Sequence, residues 1–260
     1  MPGRTANSNA ASIFRRNNNV EVALGFVIAV AISLTGVGAG SLTTPLLILL
    51  LGMGAKESVG TALIFGAAVK ILAAPLYMLR GQVDLRALGY LLLGGLPGVI
   101  AGSLLLRGLQ GGTMLAVLGF TIMLAALVNL FRFSPRPRRD RARWLAAIAL
   151  PIGAEVGFSS AGSGALGALA LLSFTPLEAA AVVGTDLLFG LALSLVGGGI
   201  YAAMGTFNTV VLVKLIAGGI AGAITGSMLA SRVPARQLRV ALLIVMALLG
   251  AHLGWKGISS

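Results

Sequence analysis

The sequence predicts an all-α polytopic membrane protein made of two pseudo-symmetric repeats, each with a broken helix followed by three transmembrane helices. Of its 260 residues, 57% are hydrophobic and only 10% are charged, whereas soluble domains carry about 25% charged residues. The mean hydropathy is +0.99. A chain of this composition cannot cover a water-facing surface, so we expect a lipid bilayer around it.

Charge and residue types exclude several classes of function. The net charge of +12 does not indicate nucleic-acid binding, because the basic residues cluster in predicted loops, as the positive-inside rule describes. The chain has no cysteine and one histidine, so we expect neither a metal nor a cofactor. It contains no Walker, dinucleotide-binding, HExxH or GxSxG motif.

Closely spaced glycines interrupt two long apolar runs. The first run covers residues 20–51 and contains GVGAGS at 36–41; the second covers 144–174 and contains SAGSGA at 160–165. Glycine weakens a helix, and an irregular backbone inside a bilayer needs partners from protein, water or a ligand. We therefore predict a break in each run that faces a binding site.

The two runs are 124 positions apart, and the same spacing continues beyond them. It relates Gly60 and Thr61 to Gly184 and Thr185, and a set of small residues in the first half (Gly94, Gly95, Gly98, Gly102 and Ser103) to Gly218, Gly219, Gly222, Gly226 and Ser227. These matches indicate a tandem duplication. We expect a disordered tail at 1–19, repeat 1 at 20–131, a basic cytoplasmic linker at 132–143 and repeat 2 at 144–260.

Six further apolar segments have the length of a single membrane span. They cover residues 59–79, 87–106, 113–131, 179–204, 207–230 and 238–253. The four-residue spacing of glycines in the second and fifth of them predicts close helix packing. Tyr77 and Tyr201 lie near span ends, so we expect interfacial anchors there.

The direction of the repeats depends on the broken runs. If each run crosses the bilayer once, the halves are parallel and the N-terminal arginines are cytoplasmic. If each forms a hairpin or crosses twice, the halves are inverted, and Arg232, Arg236 and Arg239 are cytoplasmic instead. Counting Lys and Arg does not separate the two, but broken helices at a midplane site favour inversion.

Four ionisable residues lie inside spans, where charge is costly and usually functional. Lys70 and Asp186 occupy equivalent spans, opposite Ser194 and Ala62 in the repeat register, and we hypothesise an ion pair or a proton-responsive pair. Asp186 or Glu155 would carry a coupling proton. Lys214 lies nearer a span end and can extend to the interface.

Hydroxyls and backbone N–H groups at helix starts suit a small anion, because a helix N-terminus is partially positive. They can equally satisfy the broken backbone. The predicted substrate-binding residues, Lys70 included, are Gly36, Gly38, Gly40, Ser41, Thr61, Lys70, Ser159, Ser160, Gly162, Ser163, Gly164 and Thr185.

Two short segments carry a family resemblance. Residues 59–65 (VGTALIF) with Lys70, and residues 183–189 (VGTDLLF), resemble the sulfite exporter TauE/SafE family, also called the toluenesulfonate uptake permease family. The resemblance extends over nearly the whole chain from Val20. In that family a Gly-Thr-Asp with a following lysine is familiar within one half; here Ala62 replaces the Asp in the first half and Ser194 the Lys in the second.

The resemblance implies a multi-pass secondary transporter of the bacterial inner membrane, not an enzyme. It would move small organic or sulfur-containing anions, such as sulfite, sulfonates, sulfoacetate or thiosulfate, coupled to protons and by alternating access. A passive anion channel is the main alternative. An intramembrane enzyme using Asp186 and Glu155 as acid and base lacks a nucleophile, and a membrane scaffold is the third possibility.

Overall fold

The computed structural model describes residues 20–35, 38–109, 111–131, 141–229 and 235–259, so the predicted tail and most of the predicted linker lie outside the described residues. The described part is helical. Its first half contains α1 (Val20–Thr35), α2 (Ala39–Leu50), α3 (Ala55–Leu79), α4 (Leu85–Gly108) and α5 (Gly111–Phe131). Its second half contains a 3₁₀ turn (Ala142–Trp144), α6 (Leu145–Ser159), α7 (Leu166–Phe174), α8 (Ala179–Ala203), α9 (Thr209–Leu229) and α10 (Ala235–Ile258).

Six of these helices are long and apolar enough to cross a membrane: α3, α4, α5, α8, α9 and α10. Each predicted single span coincides with one of them, so the prediction of a helical membrane protein is confirmed. The broken runs instead form the short pairs α1–α2 and α6–α7, with 16, 12, 15 and 9 residues. At about 1.5 Å per residue none of these four reaches the roughly 30 Å of the hydrocarbon core.

Matching turns end α3 and α8. Gly81 and Gly205 adopt left-handed conformations, with φ of 64° and 65°, just after these helices end, and glycine is the residue that accepts this conformation without strain. The side chain of Asp84 then caps α4 by accepting from Ala87 N at 2.7 Å, and Asn208 accepts from Val211 N at 3.0 Å in the equivalent place. Local chemistry therefore fixes both helix starts.

Glycine stripes bring backbones together between α1 and α9 and between α4 and α6. A methyl group on any of these glycines would collide with backbone of the neighbouring helix. Residue numbers rise in the same direction along both helices of each pair: Gly218 lies against Val22, Gly222 against Phe26 and Gly226 against Val30, and likewise Gly94 against Ala146, Gly98 against Leu150 and Gly102 against Ala154. Each of these two helix pairs is therefore parallel, as small-residue packing in membranes permits.

Two further large interfaces, between α3 and α8 and between α5 and α10, are antiparallel. Along α3 and α8 the pairs run in opposite order: Gly60 lies against Tyr201, Gly198 against Ile64, Gly190 against Lys70, and Gly184 against Tyr77. Along α5 and α10, Gly250 lies against Met123 and Gly257 against Ala116. Helices α3 and α8 are the first of the three long helices in their respective halves. Because they are antiparallel, the two halves run in opposite directions through the protein.

These directions show that each broken run turns back on itself. Because α9 is antiparallel to its neighbour α8, the helices α1, α3 and α9 share one direction, so α2 must return the chain to the end where α1 began. The second run shows the return directly: Arg141 N, ahead of α6, donates to Phe174 O, at the end of α7, at 2.8 Å. The hairpin alternative, with inverted halves, is the one that the helix directions support.

Contacts between the halves occur in matched pairs. Replacing both residues of one contact by their counterparts, 124 positions away in the other half, gives the second contact. Asp84 N donates to Thr185 Oγ1 at 2.9 Å, and Asn208 N donates to Thr61 Oγ1 at 3.0 Å. Gly95 lies against Phe189, as Gly219 does against Phe65. The tandem duplication stays a prediction, and these exchanged contacts are what an inverted duplication would produce.

Candidate functional site

The second interruption is a turn of left-handed residues between α6 and α7. Gly162 and Gly164 have φ of 97° and 105°, and Ser160 has φ of 62°. Glycine accepts such angles freely, but serine does so at a cost. Among the described residues, Ser160 is the one non-glycine residue with positive φ, and such strain is typical of functional positions.

The first interruption separates α1, which ends at Thr35, from α2, which begins at Ala39. Gly36, one of the predicted site residues, lies outside the described residues. Ser41 stabilises the start of α2, because its Oγ donates to Gly38 O at 2.6 Å.

The two interruptions lie side by side inside the protein. The backbones of Gly38 and Gly40 lie so close to the carbonyls of Ser163 and Ser160 that a methyl group on either glycine would collide with them. Ser160 Oγ donates to Gly40 O at 3.0 Å and lies 2.6 Å from Thr44 Oγ1. The hydroxyls therefore satisfy backbone exposed by the breaks, as a nonaqueous setting requires.

Lys70 reaches this junction from the middle of α3. Its side chain is 9% exposed, and Nζ donates to Ser163 Oγ at 3.0 Å and to Ser194 Oγ at 3.2 Å. Gly190 of α8 leaves space for the ammonium, since an added Cβ would stand 2.7 Å from Nζ. A buried ammonium with two hydroxyl partners is a strong candidate for holding an anion.

Asp186 belongs to the same cluster. It lies one helical turn before Gly190 on α8, is 5% exposed, and lies against Gly167 of α7. Its carboxylate interacts electrostatically with the Lys70 ammonium. The structure thus brings together Lys70, Asp186 and Ser163, three of the residues that the sequence singled out.

Glu155 lies elsewhere. Its Oε1 accepts from Ser159 Oγ at 2.7 Å, its side chain also hydrogen-bonds to Thr121 of α5, and its Cγ supports the turn at Gly162. These partners direct it towards α5. Ser159 also accepts from Ala161 N at 3.1 Å, so Glu155 and Ser159 together brace the second interruption.

Thr61 and Thr185 do not reach the junction. Each hydroxyl accepts from a backbone amide at the start of a neighbouring helix, Asn208 N and Asp84 N respectively. Thr61 precedes Lys70 by nine residues, which is about 13.5 Å along a helix. Their observed contacts are structural, holding each half's turn to the other half.

The prediction that Tyr201 is an interfacial anchor was wrong. Tyr201 is 1% exposed, and its OH donates to Gly157 O at 2.9 Å, beside Ser103. Tyr77 is half-buried against Gly184. Sequence position alone misled here, because span ends near the other half are covered by protein instead of lipid headgroups.

Two residues that contact the junction, Ser194 and Thr44, are not among the predicted site residues. Ser194 carried a signal, because it is the counterpart of Lys70 at the 124-residue spacing, and residues near a two-fold axis touch their own counterparts. Thr44 also carried a signal, because it is one of the hydroxyl residues that flank the first break, and its hydroxyl lies 2.6 Å from that of Ser160.

Two cavities, of about 380 and 480 Å³, open at the end of the protein where α3, α5 and α9 begin. Neither is lined by a residue of the interruptions. Around Lys70 the space is filled by Ser163, Ser194 and α8. The Lys70 ammonium is therefore enclosed by protein groups, and these two cavities lie at the end of the protein where α3, α5 and α9 begin.

Comparison with known proteins agrees with this architecture. The family model described as "Sulfite exporter TauE/SafE" matches residues 20–253. The chain belongs to the TauE/SafE family. One relative, the "Probable membrane transporter protein YjnA" of Bacillus subtilis (strain 168), is 26% identical over 249 residues, covering 89% of this chain and 98% of the relative.

Another relative, a "Probable membrane transporter protein" of Xylella fastidiosa (strain Temecula1 / ATCC 700964), is 26% identical over 213 residues, covering 77% of this chain and 80% of that protein. No solved structure matches the chain significantly. The chain is thus a multi-pass membrane transporter, as the names of its family and of both relatives indicate.

Proposed function

We propose that this chain is a secondary transporter of small anions, of the sulfur-containing oxyanion or organic acid type, in the bacterial inner membrane. The single observation that carries the proposal is the Lys70 ammonium, buried against the second interruption with two serine hydroxyls. An ammonium so placed, beside backbone freed from helical pairing, binds an anion by charge and hydrogen bonds together.

Charge balance supports proton coupling. When Lys70 and Asp186 are both ionised, the pair has no net charge, so a bound monovalent anion would leave one uncompensated negative charge in a buried place. Uncompensated buried charge is costly, and protonation of Asp186 removes it. We therefore expect one proton to accompany each monovalent anion, with Asp186 in preference to Glu155 as the carrier.

Uptake into proteoliposomes tests the binding role of Lys70. Labelled sulfite, thiosulfate, sulfonates and simple carboxylates identify the preferred anion, and Lys70→Gln should then reduce its uptake more than tenfold. Lys214→Gln is the matched control, since Lys214 lies in α9 with Glu21 3.6 Å away, and should change uptake less than twofold. Equal uptake by Lys70→Gln and wild type would refute the role.

Proton coupling has its own test. Asp186→Asn should abolish accumulation driven by a pH gradient but keep anion exchange, whereas Glu155→Gln should keep both. The opposite pattern would assign the proton to Glu155. If wild-type protein never accumulates the anion against its gradient, the chain is a passive channel and alternating access is refuted.

The helix directions, combined with the positive-inside rule, predict the orientation. Eleven arginines precede, follow or join helices at the end where α3 and α5 finish: Arg80, Arg86, Arg132, Arg136, Arg138, Arg139, Arg141, Arg143, Arg232, Arg236 and Arg239. Six basic residues belong to the other end: Arg4, Arg15, Arg16, Lys56, Arg107 and Lys256. We propose that the linker end is cytoplasmic.

A further inference from the structure

The open end of the protein contains a cleft with an unusual electrostatic character. Its two cavities adjoin, since Lys56 and Thr206 line both. Lys56 and Arg107 line the smaller one, and Lys56 Nζ donates to Arg107 O at 2.8 Å. Two cations from different helices are thus held at one opening.

Helix ends contribute with both signs: the C-termini of α4 and α8, which are partially negative, lie at the smaller cavity, and three N-termini, which are partially positive, lie at the larger one. The larger cavity is lined by Ala55 and Gly111, the first residues of α3 and α5, and by Phe207 just before α9. Each of these long helices places about half a positive charge at its N-terminus. Glu57, whose Oε1 accepts from Asn208 Nδ2 at 2.9 Å, also lines the cavity, so the cleft has two cationic side chains against one carboxylate.

The cleft leads towards the junction of the interruptions. Tyr201 lines the smaller cavity and forms its inner wall, and its OH donates to Gly157 O on the interrupted helix α6. Gly157 precedes Ser160 by three residues, and Ser160 contacts Gly40. A solute in the cleft is therefore separated from the junction by one aromatic side chain and one turn of helix.

The two cations of this cleft have uncharged counterparts in the second half of the sequence. At the 124-residue spacing, Lys56 corresponds to Ala180 and Arg107 to Ser231. Repetition of the fold alone therefore does not account for the two cations.

We propose that this cleft is an anion-binding vestibule, which concentrates small oxyanions before they reach Lys70. The proposal rests on the proposed function for its purpose, but its chemistry stands on the cations and helix N-termini. It takes small mono- or divalent anions of the sulfonate or carboxylate class, with low affinity because it stays open to water.

The absence of cysteine permits a direct test. Ala203 lines the smaller cavity and is exposed, so Ala203→Cys can be reacted with an anionic sulfonatoethyl methanethiosulfonate and with a cationic trimethylammonium analogue. The ratio of the two rates reports local potential. Adding Lys56→Gln and Arg107→Gln should lower the anion-to-cation ratio about five- to tenfold at low salt, and much less at about 1 M salt.

The repeat supplies the control. Leu79 is the counterpart of Ala203 and is exposed at the other end, so the rate ratio for Leu79→Cys should not respond to the two neutral substitutions. If Ala203→Cys fails to fold, Met204→Cys replaces it, because Met204 also lines the cavity. In transport, the double Gln variant should raise KM several-fold with little change in kcat.

The outcomes separate the vestibule from the transport proposal. An unchanged rate ratio in a protein that still transports anions overturns the vestibule alone. A lowered ratio in a protein that transports none of the tested anions supports the vestibule and overturns the proposed function. A ratio that falls equally for Leu79→Cys also overturns the vestibule, because the effect is then not local.

Discussion

Gly190→Ala is expected to impair transport strongly while destabilising the protein only slightly. The new Cβ would stand 2.7 Å from Lys70 Nζ and 3.1 Å from Ser163 Cβ, both shorter than ordinary van der Waals contact of about 3.5–4.0 Å. The flexible lysine end can move aside by about 1 Å. That shift would stretch its hydrogen bonds to Ser163 and Ser194, now 3.0 and 3.2 Å, beyond the usual limit.

The expected magnitude follows from those bonds. A hydrogen bond to a charged group contributes about 1.5–3 kcal/mol to stability, and the helix propensity gained by Gly→Ala, about 1 kcal/mol, offsets part of the loss of one such bond. Stability should therefore fall by no more than about 2 kcal/mol. A displaced ammonium should also form a poorer charged hydrogen bond to the anion, and a loss of about 1.5 kcal/mol there lowers affinity roughly tenfold.

Gly199→Ala is the matched control, because Gly199 lies on the same helix and a Cβ there meets nothing within 4 Å. Both variants gain the same helix propensity, but only Gly190→Ala crowds Lys70. Initial uptake rates in proteoliposomes and melting temperatures in detergent measure the two effects. If Gly190→Ala transports like Gly199→Ala, the ammonium position does not matter and the proposed role of Lys70 is refuted.

Three further predictions concern the contacts between halves and the orientation. Ser160→Ala and Thr44→Val should each lower stability by about 1–2 kcal/mol and be non-additive when combined; additive losses in thermal unfolding would show that their 2.6 Å contact is unimportant. Thr185→Val should lower stability by about 1 kcal/mol while leaving the KM of uptake unchanged. A raised KM would instead show that Thr185 belongs to the binding site. In intact cells, an impermeant thiol reagent should label Ala203→Cys but not Ser134→Cys, and the reverse would invert the proposed orientation.

Composition and glycine spacing were sufficient to predict the spans and the interruptions. A run of about 20 apolar residues has few alternatives to a membrane helix, and glycines such as Gly162 and Gly164 occupy the left-handed angles that break one. Lys70 and Asp186 were identifiable because charge inside a span is rare and costly. These inferences depend on local sequence and on the bilayer.

The neighbours of each residue were not predictable in the same way. Thr61 and Thr185 have the sequence context of binding residues, but their hydroxyls hold turns of the opposite half. Tyr201 has the position of an interfacial anchor, but the opposite half buries it. In both cases the deciding fact is which helices are antiparallel, and the charge count in the loops did not determine that from sequence alone.

Inverted packing also explains why only one half carries the lysine. Lys70 Nζ lies 3.2 Å from the hydroxyl of Ser194, its own counterpart at the 124-residue spacing, so the pair sits close to the axis that relates the halves. Two lysines there would repel by about 5 kcal/mol at an effective dielectric constant of about 20. A hydroxyl opposite a single ammonium avoids this repulsion and supplies a hydrogen-bonding partner. If the halves arose by duplication, the two copies had to diverge at this position to hold a buried cation, and under the proposed function a single cation would serve a single anion.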